Sequence, residues 1–314
     1  ICVVVVATVL PYIFYTKGLE GVESGKASII ANVEPVVAAL TGVVFFHETL
    51  SIWTLLGVAC VLGGVILLAK GDDTCKETMQ KCQVLNGFHL KLIAICTMFI
   101  DHLGYTLFPG DLWLRCVGRV AFPIFCFLIA EGCVYTHDRR KYALRLLAFA
   151  LLSEIPFNLM NSGAVWDRYH QNVLWTLLTG ALVCWLIDWA LKNRRALAFV
   201  LTALVMAAAF YLLERLNTDY GGWGMLLVVM FYGVHRAPGG AVSKMIAQLF
   251  GLTFFSLAAM GGYVSIELWS LVALVPIWLY RGRQGYHSKP VQYGFYAFYP
   301  VHILVLSLIA MYRY

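Results

Sequence analysis

Apolar residues in this chain come in long runs separated by short polar or basic stretches, and the pattern repeats from one end to the other. About 20 apolar residues, at about 1.5 Å rise each, cross a hydrocarbon core of about 30 Å as a helix. Against that length the runs predict about twelve spans, at roughly 1–16, 28–46, 52–69, 90–107, 115–135, 142–159, 173–191, 196–213, 221–235, 243–260, 264–280 and 291–312. The ninth is short and rich in glycine, so it is expected to be broken or tilted. A transmembrane barrel needs short strands of alternating character instead. The predicted fold class is therefore all-α, a polytopic membrane helical bundle. Of its about twelve transmembrane helices, three precede the one long polar stretch and nine follow it.

Composition agrees with the pattern. Hydrophobic residues make up 61% of the 314 and charged ones 13%, with mean hydropathy +0.77; a soluble domain is nearer half apolar and about a quarter charged. The net charge of +6 contains no dense basic run of the kind that grips nucleic acid. The expected partner is the lipid bilayer, not nucleic acid. Position of charge carries more than its sum. Lys17, Lys26, Lys70, Lys76 and Lys81, then Arg139, Arg140, Lys141, Lys192, Arg194 and Arg195, then Arg236, Lys244, Arg281, Arg283 and Lys289 fall in alternate loops. With Lys91 and Arg145 at helix ends, most of the 23 basic residues lie on one side, which the positive-inside rule assigns to the cytoplasm. The expected location is a cell membrane, inner or plasma, crossed many times, with residues 71–89 cytoplasmic. Most cysteines sit in apolar runs, where Cys acts as a small hydrophobe, and no CxxC or His/Cys ligand spacing appears, so no metal is expected. Ile1 stands inside an apolar run with no Met before it, which reads as the interior of a longer protein and not as a signal peptide.

Ionisable residues inside the runs are the candidates for chemistry, because a charge at mid-bilayer costs about 3 kcal/mol on insertion scales. Asp101 and His102 sit side by side in LKLIAICTMFIDHLGYTLF, residues 90–108. At helical rise they lie about 15 Å from the basic end, close to the midplane. Neighbours on a helix point about 100° apart, so Asp101 is expected to pair with an arginine of the next span instead of orienting His102. Arg115 and Arg119 lie one turn apart on a single face. His302 reaches mid-depth in the last span, just after Pro300. A plainer reading stands beside each: an Asp–Arg and His–backbone network that holds the bundle, or Arg115 snorkelling to head groups. Glu131 is expected to pair with the nearby basic loop, and Glu154 and Asn158, on one face of the sixth span, serve either site or scaffold.

Residues 71–89 (GDDTCKETMQKCQVLNGFH) are the one polar stretch long enough for an interdomain linker, and they separate residues 1–70 from 90–314. The first part holds Gly18-Leu19-Glu20, a helix start at Ala27-Ser28, Glu34-Pro35, Glu48 and Gly63-Gly64. It resembles the C-terminal three helices of an EamA drug/metabolite transporter repeat. That family has two five-helix repeats, so most of its substrate path would lie elsewhere. Glu34 reads as a coupling group or as a carboxylate satisfied by backbone donors beside Pro35.

The second part carries KLIAICTMFIDHLGYTLFP (91–109), LRCVGRVAFPIFCFLIAEGCVYTHDRRKYALRLLAFALLSEIPFNLM (114–160), DYGGWG (219–224) and FYAFYPVHILVL (295–306). From about residue 86 to 314 it resembles the TraX family, typified by the acetyltransferase that caps pilin in conjugation systems. The resemblance implies an integral membrane acyltransferase that moves an acetyl group from cytoplasmic acetyl-CoA to an unknown amine or hydroxyl acceptor, a peptide N-terminus among them. It implies an intramembrane His at the centre. On that reading His102 is general base or transient acyl carrier, with Asp101, Arg119 and His302 completing the centre. Arg115, Glu154, Asn158 and Tyr299 (of the YP-x-H run) support it. Arg139, Arg140, Lys141 and Arg145 begin a helix on the basic side and either hold the coenzyme A phosphates or anchor topology. The rival reading is an EamA-type small-molecule carrier fused to a TraX-like domain; a scaffold for another membrane complex ranks behind both.

Overall fold

A computed structural model describes residues 82–258, 264–286 and 288–313. The first three predicted spans, Glu34 and most of the 71–89 linker lie outside the described residues. The described helices belong to the compact unit of Lys81–Gly239 and Ser243–Tyr314, apart from the first residues of one helix. In chain order they are α1 (Gly87–Thr106), α2 (Leu112–Gly118), α3 (Ala121–Tyr135), α4 (Arg139–Ser162), α5 (Val173–Asn193), α6 (Ala196–Arg215), α7 (Gly221–Arg236), α8 (Ala241–Ala258), α9 (Val264–Glu267), a 3-10 segment (Leu268–Ala273), α10 (Leu274–Trp278) and α11 (Lys289–Arg313).

Among the described residues the fold is all-helical. Six helices are long and apolar enough to cross a membrane: Leu112–Tyr135 (α2 with α3), Arg139–Ser162, Val173–Asn193, Ala196–Arg215, Ala241–Ala258 and Lys289–Tyr312. Three predicted spans of this part depart from that simple form. The predicted span 90–107 falls on α1, a 20-residue helix diluted by Lys91, Asp101 and His102. The predicted span 221–235 falls on α7, only 16 residues long. Residues 264–280 break into α9, the 3-10 segment and α10. The described residues thus hold six candidate spans by length and composition, and a count of twelve is not established.

Local chemistry fixes the helix ends. Asn86 caps α1 by accepting from His89 N, Asp138 caps α4 by accepting from Lys141 N, and Asn172 caps α5 by accepting from Leu174 N, each at 3.0 Å. At the α4 C-terminus Gly163 takes a left-handed φ of 69° and ends the helix. Short backbone bridges then clamp the two ends of the bundle. Leu85 pairs with Tyr280 at the basic end, and Gln171 pairs with Thr218 at the other.

The burial pattern sorts the helices. α2–α3 is central, with 56% of its apolar window buried, whereas the windows of α6 and α8 are 17% buried. A core of Ile124, Phe127, Leu146, Val228 and Phe231 runs through the centre. Leu197, Leu204, Phe250 and Phe254 are exposed on α6 and α8, as side chains facing hydrocarbon tails should be.

Asn172 links cap to core. It is fully buried, and its amide donates to Ala150 O at 2.8 Å and to Glu154 Oε1 at 2.5 Å. Asn172→Ala removes a cap and strands buried partners, so it is expected to cost about 2–3 kcal/mol. A fall in the thermal midpoint of the detergent-solubilised protein would register it; an unchanged midpoint contradicts this account of the α4–α5 junction.

Candidate functional site

Asp101 occurs on the inner face of α1, opposite the C-terminal end of α2. The approach is close because residue 118 is glycine: a Cβ there would overlap the Asp101 carboxylate. Arg115 Nη1 lies 2.8 Å from Asp101 Oδ2, and Arg119 Nη2 lies 2.9 Å from the same oxygen and 3.0 Å from Oδ1. Both predicted arginines thus converge on the predicted carboxylate. Arg119 continues inward, donating from Nη1 to the Tyr220 hydroxyl at 3.0 Å and to Glu267 Oε2 at 3.4 Å. Its Nε and the Glu267 Oε1 are buried without a hydrogen-bond partner. Tyr220 is stacked on Phe122, ring centroids 3.6 Å apart.

His102 turns away from this cluster, as its 100° offset from Asp101 requires. Its Nδ1 lies 2.7 Å from His302 Nε2, and His302 Nδ1 lies 2.6 Å from the carbonyl oxygen of Phe298. The hydrogen positions follow from that chain. A carbonyl only accepts, so His302 Nδ1 carries a proton. In the neutral pair His302 Nε2 then accepts from His102 Nδ1–H. The lone pair is left on His102 Nε2, the one nitrogen of the two rings with no protein partner among the described residues. Phe298 stacks on His302 at 4.7 Å and holds its plane.

Two cavities meet beside these groups. One, of about 330 Å³, opens at the end opposite the basic loops and is lined by Asp101, His102, Arg115, Arg119, Asp219 and Tyr299, with others. The second, of about 480 Å³, opens at the basic end past Gly87, Lys91 and Gln284 and is walled by Leu128, Leu146 and Leu174. Met98, Phe125, Val173, Leu177 and Tyr299 line both. Tyr299 thus faces both chambers, and the His102 ring lies beside it (ring centroids 6.1 Å apart).

The other predicted residues are distributed unevenly. Glu154 accepts from Asn172 and from the Trp175 indole at 2.5 Å, which commits it to the α4–α5 junction. Asn158 is buried and donates to Val165 O, with its Oδ1 unpartnered. Glu131 faces Lys91 and accepts from Tyr280 in the second cavity, so its partners are α1 and Tyr280, not the basic loop. The basic quartet does not converge. Arg139 binds buried Asp188 at 2.6 Å, Arg140 is exposed, Lys141 pairs with Asp138 at 3.1 Å, and Arg145 lies over the Tyr142 ring beside the second cavity. Arg236 completes the Asp188 cluster at 2.7 Å. Glu267, Asp219 and Lys91 belong to the site region without having been singled out. Glu267 and Lys91 were legible as ionisable residues in apolar runs; Asp219 was visible only as the first residue of DYGGWG. Among the described residues, no group of three His, Cys, Asp or Glu is placed to hold a metal ion.

The fold and this centre define a multi-pass membrane protein that collects ionisable groups from helices far apart in sequence. The chain belongs to the TraX family, whose model, described as TraX protein, matches residues 86–310. Residues 1–70 match the EamA-like transporter family. It is similar to a probable fimbrial assembly protein, FimC of serogroup H1, from Dichelobacter nodosus, at 28% identity over 72% of this chain and 96% of the relative. Protein TraX of Escherichia coli is 24% identical over 71% of this chain and 86% of its own length. An uncharacterized transporter of Archaeoglobus fulgidus is 38% identical over 20% of this chain and 23% of its own length. No solved structure matches.

The geometry separates the roles of neighbouring residues. Asp101→Ala leaves two guanidiniums without their shared anion and is expected to cost about 3–5 kcal/mol. His102→Ala leaves the His302–Phe298 bond intact and is expected to cost about 1 kcal/mol. Thermal unfolding of both variants in one detergent checks the ordering; equal losses would contradict it.

Proposed function

We propose that this protein is a membrane-embedded acyltransferase that moves an acetyl group from acetyl-CoA to an amine or hydroxyl acceptor. The observation that carries the reading is the His102–His302–Phe298 chain, which leaves an unprotonated imidazole nitrogen on His102, a residue that lines the outer cavity. Acyl transfer needs a base for the acceptor proton and a donor for the developing oxyanion. His102 Nε2 takes the proton, and His302, fixed by Phe298, holds the ring in that tautomer and shares the charge that develops. Arg115 retains donors beyond those given to Asp101 and lines the same cavity, so it stabilises the oxyanion. Asp101 and Arg119 position Arg115 and are not asked to transfer protons.

The two chambers give the reaction sides. The acetyl thioester supplies the activated carbonyl. It enters through the larger cavity at the basic end, where Lys91 and Arg145 meet its anionic portion and the leucine walls take its arm. That end is cytoplasmic by the positive-inside rule, in an inner or plasma membrane, with the 71–89 linker on the same face. The acceptor comes through the smaller cavity. Kinship to a protein named for fimbrial assembly favours an acceptor displayed on that far side, such as a peptide N-terminus. The carrier reading rests on residues 1–70, a match to about a quarter of a transporter's length.

Purified protein in nanodiscs, supplied with labelled acetyl-CoA and a mixture of peptide and alcohol acceptors, tests the proposal. Transfer is expected for wild type, with a loss of about 10²-fold or more in His102→Ala and a smaller loss in His302→Ala. Undiminished transfer by His102→Ala, or none by wild type together with solute uptake in vesicles, would remove it.

A further inference from the structure

The acceptor cavity contains a carboxylate that the scheme above leaves without work. Asp219 ends the loop after α6. Its backbone is fixed, N–H donating to Gln171 O at 2.9 Å and carbonyl accepting from Thr176 Oγ1 at 2.8 Å. Its side chain is exposed to the recess and, among the described residues, lies in no ion pair within 4 Å. The neighbouring charges are accounted for. Arg115 and Arg119 share Asp101, and Arg119 also meets Glu267. With Asp219 included, three carboxylates face two guanidiniums. The remaining polar neighbours bring no cation: the Tyr220 hydroxyl accepts from Arg119, His102 is held in the neutral pair, and His170 sits at the rim against Asp167. The ionised cluster is one positive charge short.

We propose that Asp219 is the specificity-determining residue that selects a cationic acceptor, holding the ammonium of an amine in the outer cavity and taking its first proton. The inference rests on the acyltransferase reading. The acceptor R–NH3+ docks on the Asp219 carboxylate and passes one proton to it, giving R–NH2. The amine nitrogen attacks the thioester carbonyl carbon while His102 Nε2 removes its second proton. The C–N bond forms, the C–S bond breaks, and the departing thiolate takes the proton from His102. Asp219 releases its own proton to the outer recess. The net result is R–NH–CO–CH3, a free thiol and one proton. An alcohol carries no charge to fill the deficit and gains nothing from Asp219.

Desolvation by the protein around the recess, opposed by Arg119, pushes the Asp219 carboxyl up to about 6, although the residue keeps a face open to solvent there. The group is therefore ionised above that pH and protonated below it, and amine capture weakens as pH falls through about 6. The stability sign is opposite to that of a structural ion pair. A carboxyl raised in the folded state burdens the fold above pH 6 and not below about 4, so Asp219→Asn is expected not to lower the thermal midpoint at pH 8.

Labelled acetyl-CoA with two probes tests this: a short apolar peptide with a free α-amino group, and its α-hydroxy counterpart. In Asp219→Asn the KM for the amine should rise about tenfold or more, with kcat changed far less and the hydroxy probe within about twofold. Asp219→Glu should recover part of the amine KM, and the Asn variant should lose the fall in amine use near pH 6. Equal effects on both probes, or no effect on the amine, overturn the role of Asp219 while His102-dependent transfer by wild type still stands. Failure of wild type to acetylate either probe overturns the acyltransferase reading and this inference with it.

Discussion

A carboxylate as buried as Asp101 is tolerable only because Arg115 and Arg119 both reach it, and that requirement orders everything around it. An isolated ion in a low-dielectric interior costs several kcal/mol, and the cost is offset only by well-placed opposite charge and hydrogen bonds. Two guanidiniums on one carboxylate are in turn overcharged, so Arg119 extends to Tyr220 and Glu267. The cluster thereby ties α1, the α2–α3 junction, the start of α7 and α9 to one point. Gly118 is the steric condition for it.

The imidazole pair obeys a different logic. It needs no counter-ion, because a backbone carbonyl and a second ring settle its protons. Asp101 and His102 are adjacent in sequence yet belong to separate networks, one of ion pairs and one of paired imidazoles. The 100° offset between helical neighbours makes that division possible. It also places His102 in the outer cavity beside Tyr299, which lines both chambers.

Much of this was legible in the sequence, and for physical reasons. Ionisable residues in apolar runs stand out because lipid tolerates so few, so Asp101, His102, Arg115, Arg119 and His302 could be named before any fold. The one-turn spacing of the arginines and the offset of the Asp–His pair even gave the partners. What could not be read was the coming together of distant segments. Glu131 meets Lys91 and Tyr280, both far from the loop that follows it, and Arg139 is claimed by Asp188 across 49 residues. A charge pattern reports which side of a membrane a loop occupies but not which helix stands next to it. Asp219 escaped for another reason: in a short loop a carboxylate looks solvated, and only the recess shows what it faces.

Acetyl donor and acceptor reaching one centre from opposite sides is the claim on which the functional account turns. Sealed proteoliposomes test it most directly, with labelled acetyl-CoA confined to the face bearing the basic loops and a membrane-impermeant acceptor confined to the other. The account predicts label on the acceptor across an intact membrane, with free coenzyme A retained on the donor side. Label transfer only when both are supplied to the same face would contradict it.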